Sequence, residues 1–206
     1  MRVLCACEES QVVATAFRKR GHEAFSCDIL PCSGGHPEWH IQSDVTELLK
    51  EHWDMIIAVP PCTYITGASA CRMYPVSGVI SEERLSKAME AKAFFMQFYE
   101  ADCPRVAIEN PRPLRVVEMP KETQRVQPYW FGHPYTKLTY LWLKGLPPLL
   151  PTDMVINGVV PFVNAGSYDA SGNKRKKQGV KYSASERSKT FQGLALAMAE
   201  QWGEIC

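Results

Sequence analysis

The stretch WDMIIAVPPC, residues 53–62, is a continuous apolar run that ends in two prolines and a cysteine. Such a run is typical of a strand that is buried on both faces of a parallel sheet. A second apolar run, residues 105–108 (RVAI), is followed by Glu109, Asn110 and Pro111. Parallel strands end at one edge of a sheet, where open α/β folds bind their ligands, so we expect Cys62 and Glu109 to meet there. A thiol and a carboxylate can serve as a nucleophile and its proton-handling partner.

The rest of the chain alternates between strand and helix patterns. We predict further strands at residues 2–7, 23–27 and 137–143. We predict helices at residues 11–19, 81–101 and about 188–202. Ser10 and Ser81 are candidate N-caps, and Asp44 is a candidate N-cap of a short helix through residue 50. This alternation predicts an α/β fold with a doubly wound, largely parallel sheet.

Composition narrows the class of protein. The 206 residues, 46% of them hydrophobic, suffice for one sizeable core. There is no run of about 18 apolar residues and no basic-then-apolar leader, and we interpret the eight cysteines as reduced thiols of a cytoplasmic protein. The net charge of +1 predicts no general attraction to nucleic acid, so such a partner would bind a local patch.

The strings VPPCT (59–63) and IENP (108–111), with acidic residues after strands two and three, resemble the DNA cytosine-C5 methyltransferase family. More narrowly, the chain resembles short phage and prophage DNA cytosine methyltransferases, in which stretches like 127–149 and 186–203 are typical. The resemblance implies a Rossmann-like S-adenosylmethionine-dependent methyltransferase fold, formed by one domain over residues 1–206. It also implies S-adenosyl-L-methionine as cofactor and cytosine-containing DNA as partner.

Within this resemblance, Cys62 matches the family nucleophile that adds to C6 of cytosine and makes C5 able to attack a methyl group. The two preceding prolines stiffen the segment that presents it. Glu109, followed by Asn110, matches the glutamate that binds the N3 edge of the flipped base. The alternatives are a buried structural cysteine and a surface glutamate. Family members usually carry valine where Pro111 stands, which changes the local backbone.

The cofactor side departs from the family, because residues 7–11 (CEESQ) replace a glycine-rich loop. We expect Glu8 or Glu9 to bind the ammonium group of S-adenosylmethionine, and Ser10 with the helix N-terminus to bind its carboxylate. Asp28 is placed to bind the ribose hydroxyls. Asp44 resembles the family residue that accepts from the adenine amino group, and its role as a helix N-cap is compatible with this. The remaining expected cofactor contacts are Cys7, Ile29, Val45 and Pro60.

Two further segments bear on the site. Lys137 opens the strand KLTYLWL about where the family carries an arginine-containing motif that steadies the base, and the alternative is an ordinary edge-strand lysine. The segment 187–191 (RSKTF) stands where the family returns to the cofactor. Gly193 falls inside the last helical pattern, which predicts close packing there.

The sequence contains few features that could recognise a target DNA sequence. An irregular, basic insertion at about 151–184 stands in place of a recognition domain, and its cluster Lys174, Arg175, Lys176, Lys177 is the candidate phosphate contact. A solvated surface loop is the favoured alternative for this cluster. We therefore expect weak sequence specificity, or a partner subunit or homodimer that supplies recognition. The spacing of Cys27, Cys32, His36 and His40 is a poor match to a zinc site, and we expect no metal.

Two other functions stay open. Amino-methyltransferases acting on adenine N6 or cytosine N4 place an aromatic residue after Pro-Pro and need no thiol, and both Cys62 and Glu109 argue against that chemistry. A non-catalytic protein that binds S-adenosylmethionine or nucleic acid on the same fold would explain the missing glycines and recognition domain. Retention of Cys62 and Glu109 argues against it.

Overall fold

The computed structural model describes residues 1–67, 70–162 and 183–205. Within these residues a seven-stranded sheet forms the centre of the molecule. Its strands are β1 (Arg2–Ala6), β2 (Glu23–Asp28), β3 (His40–Gln42), β4 (Met55–Ala58), β5 (Val106–Pro111), β6 (Gln124–Val126) and β8 (Thr139–Lys144). Two short strands, β7 (Tyr135–Thr136) and β9 (Val160–Pro161), pair with each other in a separate parallel ladder.

The order of strands in the sheet is β3-β2-β1-β4-β5-β8-β6. The first five strands are parallel, and β8 runs antiparallel to both β5 and β6. The chain therefore starts at the centre of the sheet, winds outward in one direction and then in the other, as doubly wound nucleotide-binding folds do. The predicted α/β fold with a doubly wound, largely parallel sheet is confirmed.

The described part of the chain contains six α-helices. They are α1 (Val12–Arg18), α2 (Val45–Leu48), α3 (Ala70–Met73), α4 (Glu82–Tyr99), α5 (Ala184–Ser188) and α6 (Gln192–Gly203). None of the described helices is long and apolar enough to cross a membrane. The N-cap of α4 is Ser81, as predicted, and its side chain accepts a hydrogen bond from the backbone N–H of Arg84.

The continuous apolar pattern of the central strands follows from burial on both faces. Successive side chains of a strand point to opposite faces, so Val3 and Cys5 of β1 pack in one core with α1 and α6, while Leu4 and Ala6 pack in the other with α4. All four residues of β4 are buried in the same alternating way. A one-residue slip of either strand would exchange the two sets of side chains between the two cores.

The structure differs from the predicted elements at several boundaries. Strand β5 continues through Pro111, because β8 pairs with it antiparallel and places Glu109 opposite Leu141. The predicted last helix over about 188–202 corresponds to α6, which begins at Gln192; a separate short helix, α5, ends at Ser188 and was not predicted. Strands β3 and β6 were not predicted at all. Both have only three residues and lie at the two edges of the sheet, where little burial is needed.

Close packing of Gly193 is confirmed. A Cβ atom added there would lie 1.8 Å from the carbonyl oxygen of Phe131, a backbone atom that cannot move out of the way. This contact sets α6 against the segment that leads into β7 and β8.

We therefore expect Gly193→Ala to lower the free energy of unfolding by about 1–3 kcal/mol or more, as overpacking does. The matched control is Gly67→Ala, since the contact that a Cβ at Gly67 would make among the described residues is with the carbonyl oxygen of Arg112, at an ordinary 3.7 Å. Chemical denaturation of both variants measures the difference. Equal stability of Gly193→Ala and the control would contradict this packing.

Candidate active site

A cavity of about 350 Å³ opens at the carboxyl edge of the sheet. Its size lies at the lower end of the range for small-molecule sites. The floor comes from the residues that follow or end β1, β2, β4 and β5, and one wall comes from Lys137 and the segment 187–190. The end of β1 and the expected catalytic residues therefore line the same cavity.

The cavity brings together ten of the residues that the sequence singles out. The expected catalytic residues Cys62, Glu109, Asn110 and Lys137 all line it. So do the expected cofactor contacts Cys7, Glu8, Glu9, Ser10, Asp28 and Pro60. Three expected contacts, Ile29, Asp44 and Val45, do not line it.

Three hydrogen bonds tie the Cys62 segment to the end of β5. The side-chain amide of Asn110 donates to the carbonyl oxygen of Pro60 at 2.8 Å, in a buried contact. Further along, the N–H of Gly67 donates to the carbonyl of Arg112 and that of Leu114 to the carbonyl of Ile65. Pro60 and Pro61 have no N–H of their own, so these bonds fix the segment from the β5 side.

Cys62 and Glu109 influence each other electrostatically. Burial raises the pKa of the Cys62 thiol, and the neighbouring Glu109 carboxyl group raises it further, while Lys137 lowers it. Burial likewise raises the pKa of Glu109, against the lowering effects of Lys137 and of a hydrogen bond with Thr139. Glu109 is only 6% exposed. Both groups therefore hold their protons more firmly than they would in water.

Lys137 lies beside this pair, just before β8 rather than inside it. Its ammonium group donates to the carbonyl oxygen of Arg187 at 2.9 Å and lies over the rings of Phe162 and Phe191. These contacts hold the lysine against the wall formed by residues 187–190. The charge of Lys137 is thus positioned by these contacts at the side of the cavity.

The loop between β1 and α1 differs from expectation at Ser10. The N-cap position of α1 is Gln11, and its side chain does not cap the helix. The carboxylate of Glu8 does so instead, because it accepts from the N–H groups of Val13 at 2.6 Å and Ala14 at 3.1 Å. The predicted capping by Ser10 is therefore wrong, and the helix N-terminus that was expected to bind the cofactor's carboxylate already holds a carboxylate of the chain.

The backbone of this loop adopts left-handed conformations without glycine. Cys7 and Gln11 both have φ of 58°. The side chain of Gln11, fully buried, donates to the carbonyl of His36 at 2.7 Å and accepts from its N–H at 3.0 Å. Gly34 lies so close that an added Cβ would be 2.5 Å from the Cβ of Gln11. The loop after β2 is thus clamped onto the loop after β1.

Asp28 and Asp44 lie near the Cys7 end of the cavity. Burial is the largest cause that raises the pKa of the Cys7 thiol, and the carboxylates of Asp28 and Asp44 add to it. Asp44 is exposed and caps α2 by accepting from the N–H of Thr46, as predicted. Of the other two expected contacts, Ile29 is 72% exposed and the side chain of Val45 is buried in the core, away from the cavity.

Sequence patterns say less about the opposite wall of the cavity. Lys189 crosses from the turn before α6 and donates to the hydroxyl of Ser33 at 3.2 Å, and Ser33 in turn donates to the Glu9 carboxylate. Ser188 and Thr190 line the cavity beside it. The segment was noted as the place where the family returns to its cofactor, but Lys189 was not a predicted contact, since a lone lysine in a loop is usually solvated.

Other candidate residues do not contribute to the site as described. The basic cluster Lys174, Arg175, Lys176, Lys177 lies outside the described residues. Cys27, His36 and His40 make separate contacts, with Ser43, with Trp39 and with Ser26 respectively. No group of three or more metal-ligating side chains occurs in residues 1–67, 70–162 and 183–205.

Comparisons with known proteins give a limited result. No family model and no curated protein matches the chain. Among solved structures it is similar to a protein described as a DNA modification methyltransferase encoded within a prophage, from E. coli, with 15% identity and a TM-score of 0.43. The match covers 74% of this chain and 51% of that one, so this chain spans about half the length of that protein. The chemistry of the cavity is therefore inferred from its own residues.

Glu8 generates a prediction for stability. Burial raises its pKa from 4.5 to about 7, against the lowering effect of the backbone N–H groups. A carboxyl group whose pKa is raised by folding stabilises the protein below its unfolded pKa, and this contribution is lost as the pH rises through the folded pKa. Between pH 4.5 and 8 the loss amounts to about 3 kcal/mol, at about 1.4 kcal/mol per pKa unit.

We therefore expect Glu8→Gln to remove this loss, so that the variant gains stability relative to the native protein as the pH rises from 5 to 8. Urea denaturation at several pH values measures it. Glu23→Gln, at an exposed glutamate of β2, reports the effect of removing a surface carboxylate. Parallel pH profiles for the native protein and Glu8→Gln would show that Glu8 does not carry the raised pKa.

Proposed function

We propose that the protein transfers the methyl group of S-adenosylmethionine to C5 of cytosine in DNA, through a covalent bond between Cys62 and C6 of the base. The observation that carries this proposal is the cavity in which the Cys62 thiol, the buried Glu109 carboxyl group and the ammonium of Lys137 influence one another. Few reactions need a thiol, a proton-holding carboxyl group and a cation in one space at the end of a methyltransferase-like sheet.

Glu109 and Cys62 have complementary parts in this reaction. The raised pKa of Glu109 keeps a proton available for N3 of cytosine. Protonation at N3 draws electrons from the ring, so the sulfur of Cys62 can form a bond to C6 while its thiol proton passes to water. The C5=C6 electron pair moves to form a C4=C5 double bond, which makes C5 the nucleophile toward the methyl group. After methylation, water takes the C5 proton, the C5–H electron pair re-forms the C5=C6 double bond and expels the Cys62 thiolate, and the N3 proton returns to Glu109.

Lys137 and Asn110 support these steps. The charge of Lys137 lowers the pKa of Cys62 and so favours the thiolate that must form during attack. The amide of Asn110 holds the carbonyl of Pro60, which fixes the segment from which Cys62 projects. Positioning of this kind converts an encounter between two groups into an attack within one bound complex.

The end of the cavity at Cys7 fits S-adenosylmethionine by its charge. Bound there, the cofactor supplies an electrophilic methyl group attached to a positively charged sulfur. Glu8, Glu9 and Asp28 line this end and offer carboxylates to the sulfonium, the ammonium and the ribose hydroxyls. Asp44, at the rim, is the candidate partner of the adenine amino group, with Ile29 and Val45 on the neighbouring backbone.

Access to C5 requires that the cytosine leave the base stack. The Cys62–Glu109 pair lies inside a cavity, so the base must be flipped out of a duplex or presented by a single strand. The basic cluster at residues 174–177 remains the candidate phosphate contact, and a partner subunit remains the candidate source of sequence recognition. The alternative of a non-catalytic binding protein makes the opposite prediction about covalent trapping.

The decisive experiment is trapping on DNA that contains 5-fluorocytosine, in the presence of S-adenosylmethionine. Fluorine at C5 cannot leave as a proton does, so the enzyme stays attached at C6. We expect a covalent adduct, resolved by denaturing electrophoresis, with the native protein and none with Cys62→Ser.

The control for this trapping is Cys71→Ser, which removes an exposed thiol outside the cavity and should leave the adduct yield unchanged. An equal adduct yield from Cys62→Ser would exclude Cys62 as nucleophile. If the native protein binds S-adenosylmethionine but forms no adduct and no 5-methylcytosine, the non-catalytic alternative gains the support.

Cofactor binding has its own test. We expect Asp28→Asn to weaken S-adenosylmethionine binding by about 1–3 kcal/mol, because a charge-assisted hydrogen bond to the ribose becomes a neutral one. Asp44→Asn should also weaken it while it keeps the oxygen that caps α2. Calorimetry measures both, with the exposed Asp102→Asn as control. Unchanged affinity in both variants would place the cofactor elsewhere.

A further inference from the structure

The amino-acid part of S-adenosylmethionine carries both an ammonium and a carboxylate group, and the cavity must satisfy both. The carboxylates of Glu8 and Glu9 suit the ammonium and repel the carboxylate. The N–H groups that open α1 are not available to the carboxylate, because those of Val13 and Ala14 donate to Glu8. A positive charge from another part of the chain is therefore required at this end.

Lys189 is a cation at the required end of the cavity. Its ammonium group reaches the hydroxyl of Ser33, which itself donates to the carboxylate of Glu9. Within the described part of the chain, Lys189 forms no ion pair within 4.0 Å of a carboxylate, although Glu9 is so near. Its charge also lowers the pKa of Glu186, which lies beyond that distance. The ammonium group therefore lies next to the acidic end without direct contact with a carboxylate.

The turn that carries Lys189 is held on both sides. Before it, the carbonyl of Arg187 accepts from the ammonium of Lys137, which places Arg187 toward the Cys62 end. After it, the side chain of Thr190 is buried and the N–H of Gly193 donates to the ring of His133 at 2.9 Å. These contacts fix the backbone from which Lys189 projects, so its charge is positioned before a ligand arrives.

We propose that Lys189 binds the carboxylate of the amino-acid moiety of the methyl donor, in place of the helix N-terminus that Glu8 fills. The ligand contact is new, and it rests on the proposed function because the donor is S-adenosylmethionine. In this assignment Glu9 faces the ammonium and Lys189 faces the carboxylate, and the hydroxyl of Ser33 bridges the two side chains. Lys189 is a binding residue in this assignment and takes no part in the chemical step.

The test compares two donors that differ only in the carboxylate group, S-adenosylmethionine and its decarboxylated form. Calorimetry gives the affinity of each for the native protein, for Lys189→Met and for Lys189→Arg. We expect Lys189→Met to bind S-adenosylmethionine about 10- to 100-fold more weakly, the range of one charge-assisted hydrogen bond. Its affinity for the decarboxylated donor should be unchanged or higher, since a repulsion between two cations is removed.

Two further variants control for indirect effects. Lys189→Arg keeps the charge and should retain the preference for the carboxylated donor, which separates loss of charge from loss of folding. Lys50→Met removes an exposed lysine that pairs with Glu47 outside the cavity, and it should leave both affinities unchanged.

Each remaining outcome decides a separate point. An equal loss of affinity for both donors, or no loss for either, would overturn the assignment of Lys189 while leaving donor binding intact. Failure of the native protein to bind either donor would instead overturn the proposed function and this inference with it.

Discussion

The site depends on one buried hydrogen bond, from the side-chain amide of Asn110 to the carbonyl oxygen of Pro60. Asn110 lies inside β5, opposite Tyr140 of β8, so its position is set by the pairing of the sheet. The Cys62 segment leaves β4 through two prolines, which have no N–H to hold it to that sheet. The Asn110 side chain therefore fixes the segment that carries Cys62 relative to the sheet. Its Oδ1 atom is buried with no partner among the described residues, so the bond to Pro60 alone decides which way the amide faces.

Sequence patterns predicted the central strands of the sheet better than its edge strands. The apolar runs that became β1 and β4 are buried on both faces, and this requirement leaves a clear signal in the sequence. Strands β3 and β6 are three-residue edge strands whose existence depends on a neighbour rather than on their own residues. The same limit applies to the site. Cys62 and Glu109 follow recognisable strands, whereas Lys189 reaches the cavity from 156 residues beyond its partner Ser33, which no local pattern reports.

The two ends of the cavity differ in charge in a way that suits two different ligands. At the Cys62 end, burial raises the pKa of the Cys62 thiol and of the Glu109 carboxyl group, and the charge of Lys137 lowers both. At the Cys7 end, Glu8, Glu9 and Asp28 leave the floor acidic, opposite the wall that carries Lys189. A low-dielectric cavity strengthens each of these interactions. Under the proposed function, the acidic end would attract the cationic donor, and the other end would hold the neutral base that accepts a proton.

The loop after β1 has no glycine, and residues other than glycine adopt the left-handed backbone conformations in it. Cys7 and Gln11 take the left-handed conformations that glycine would adopt freely, at about 1–2 kcal/mol per residue. The hydrogen bonds of Gln11 with His36 and of Glu8 with Val13 and Ala14 offset this strain. The Glu8 carboxylate accepts from the first N–H groups of α1, so those of Val13 and Ala14 are not available to a ligand. Charged groups at this end of the cavity therefore come from other side chains, with Glu9 and Asp28 on one side and Lys189 on the other.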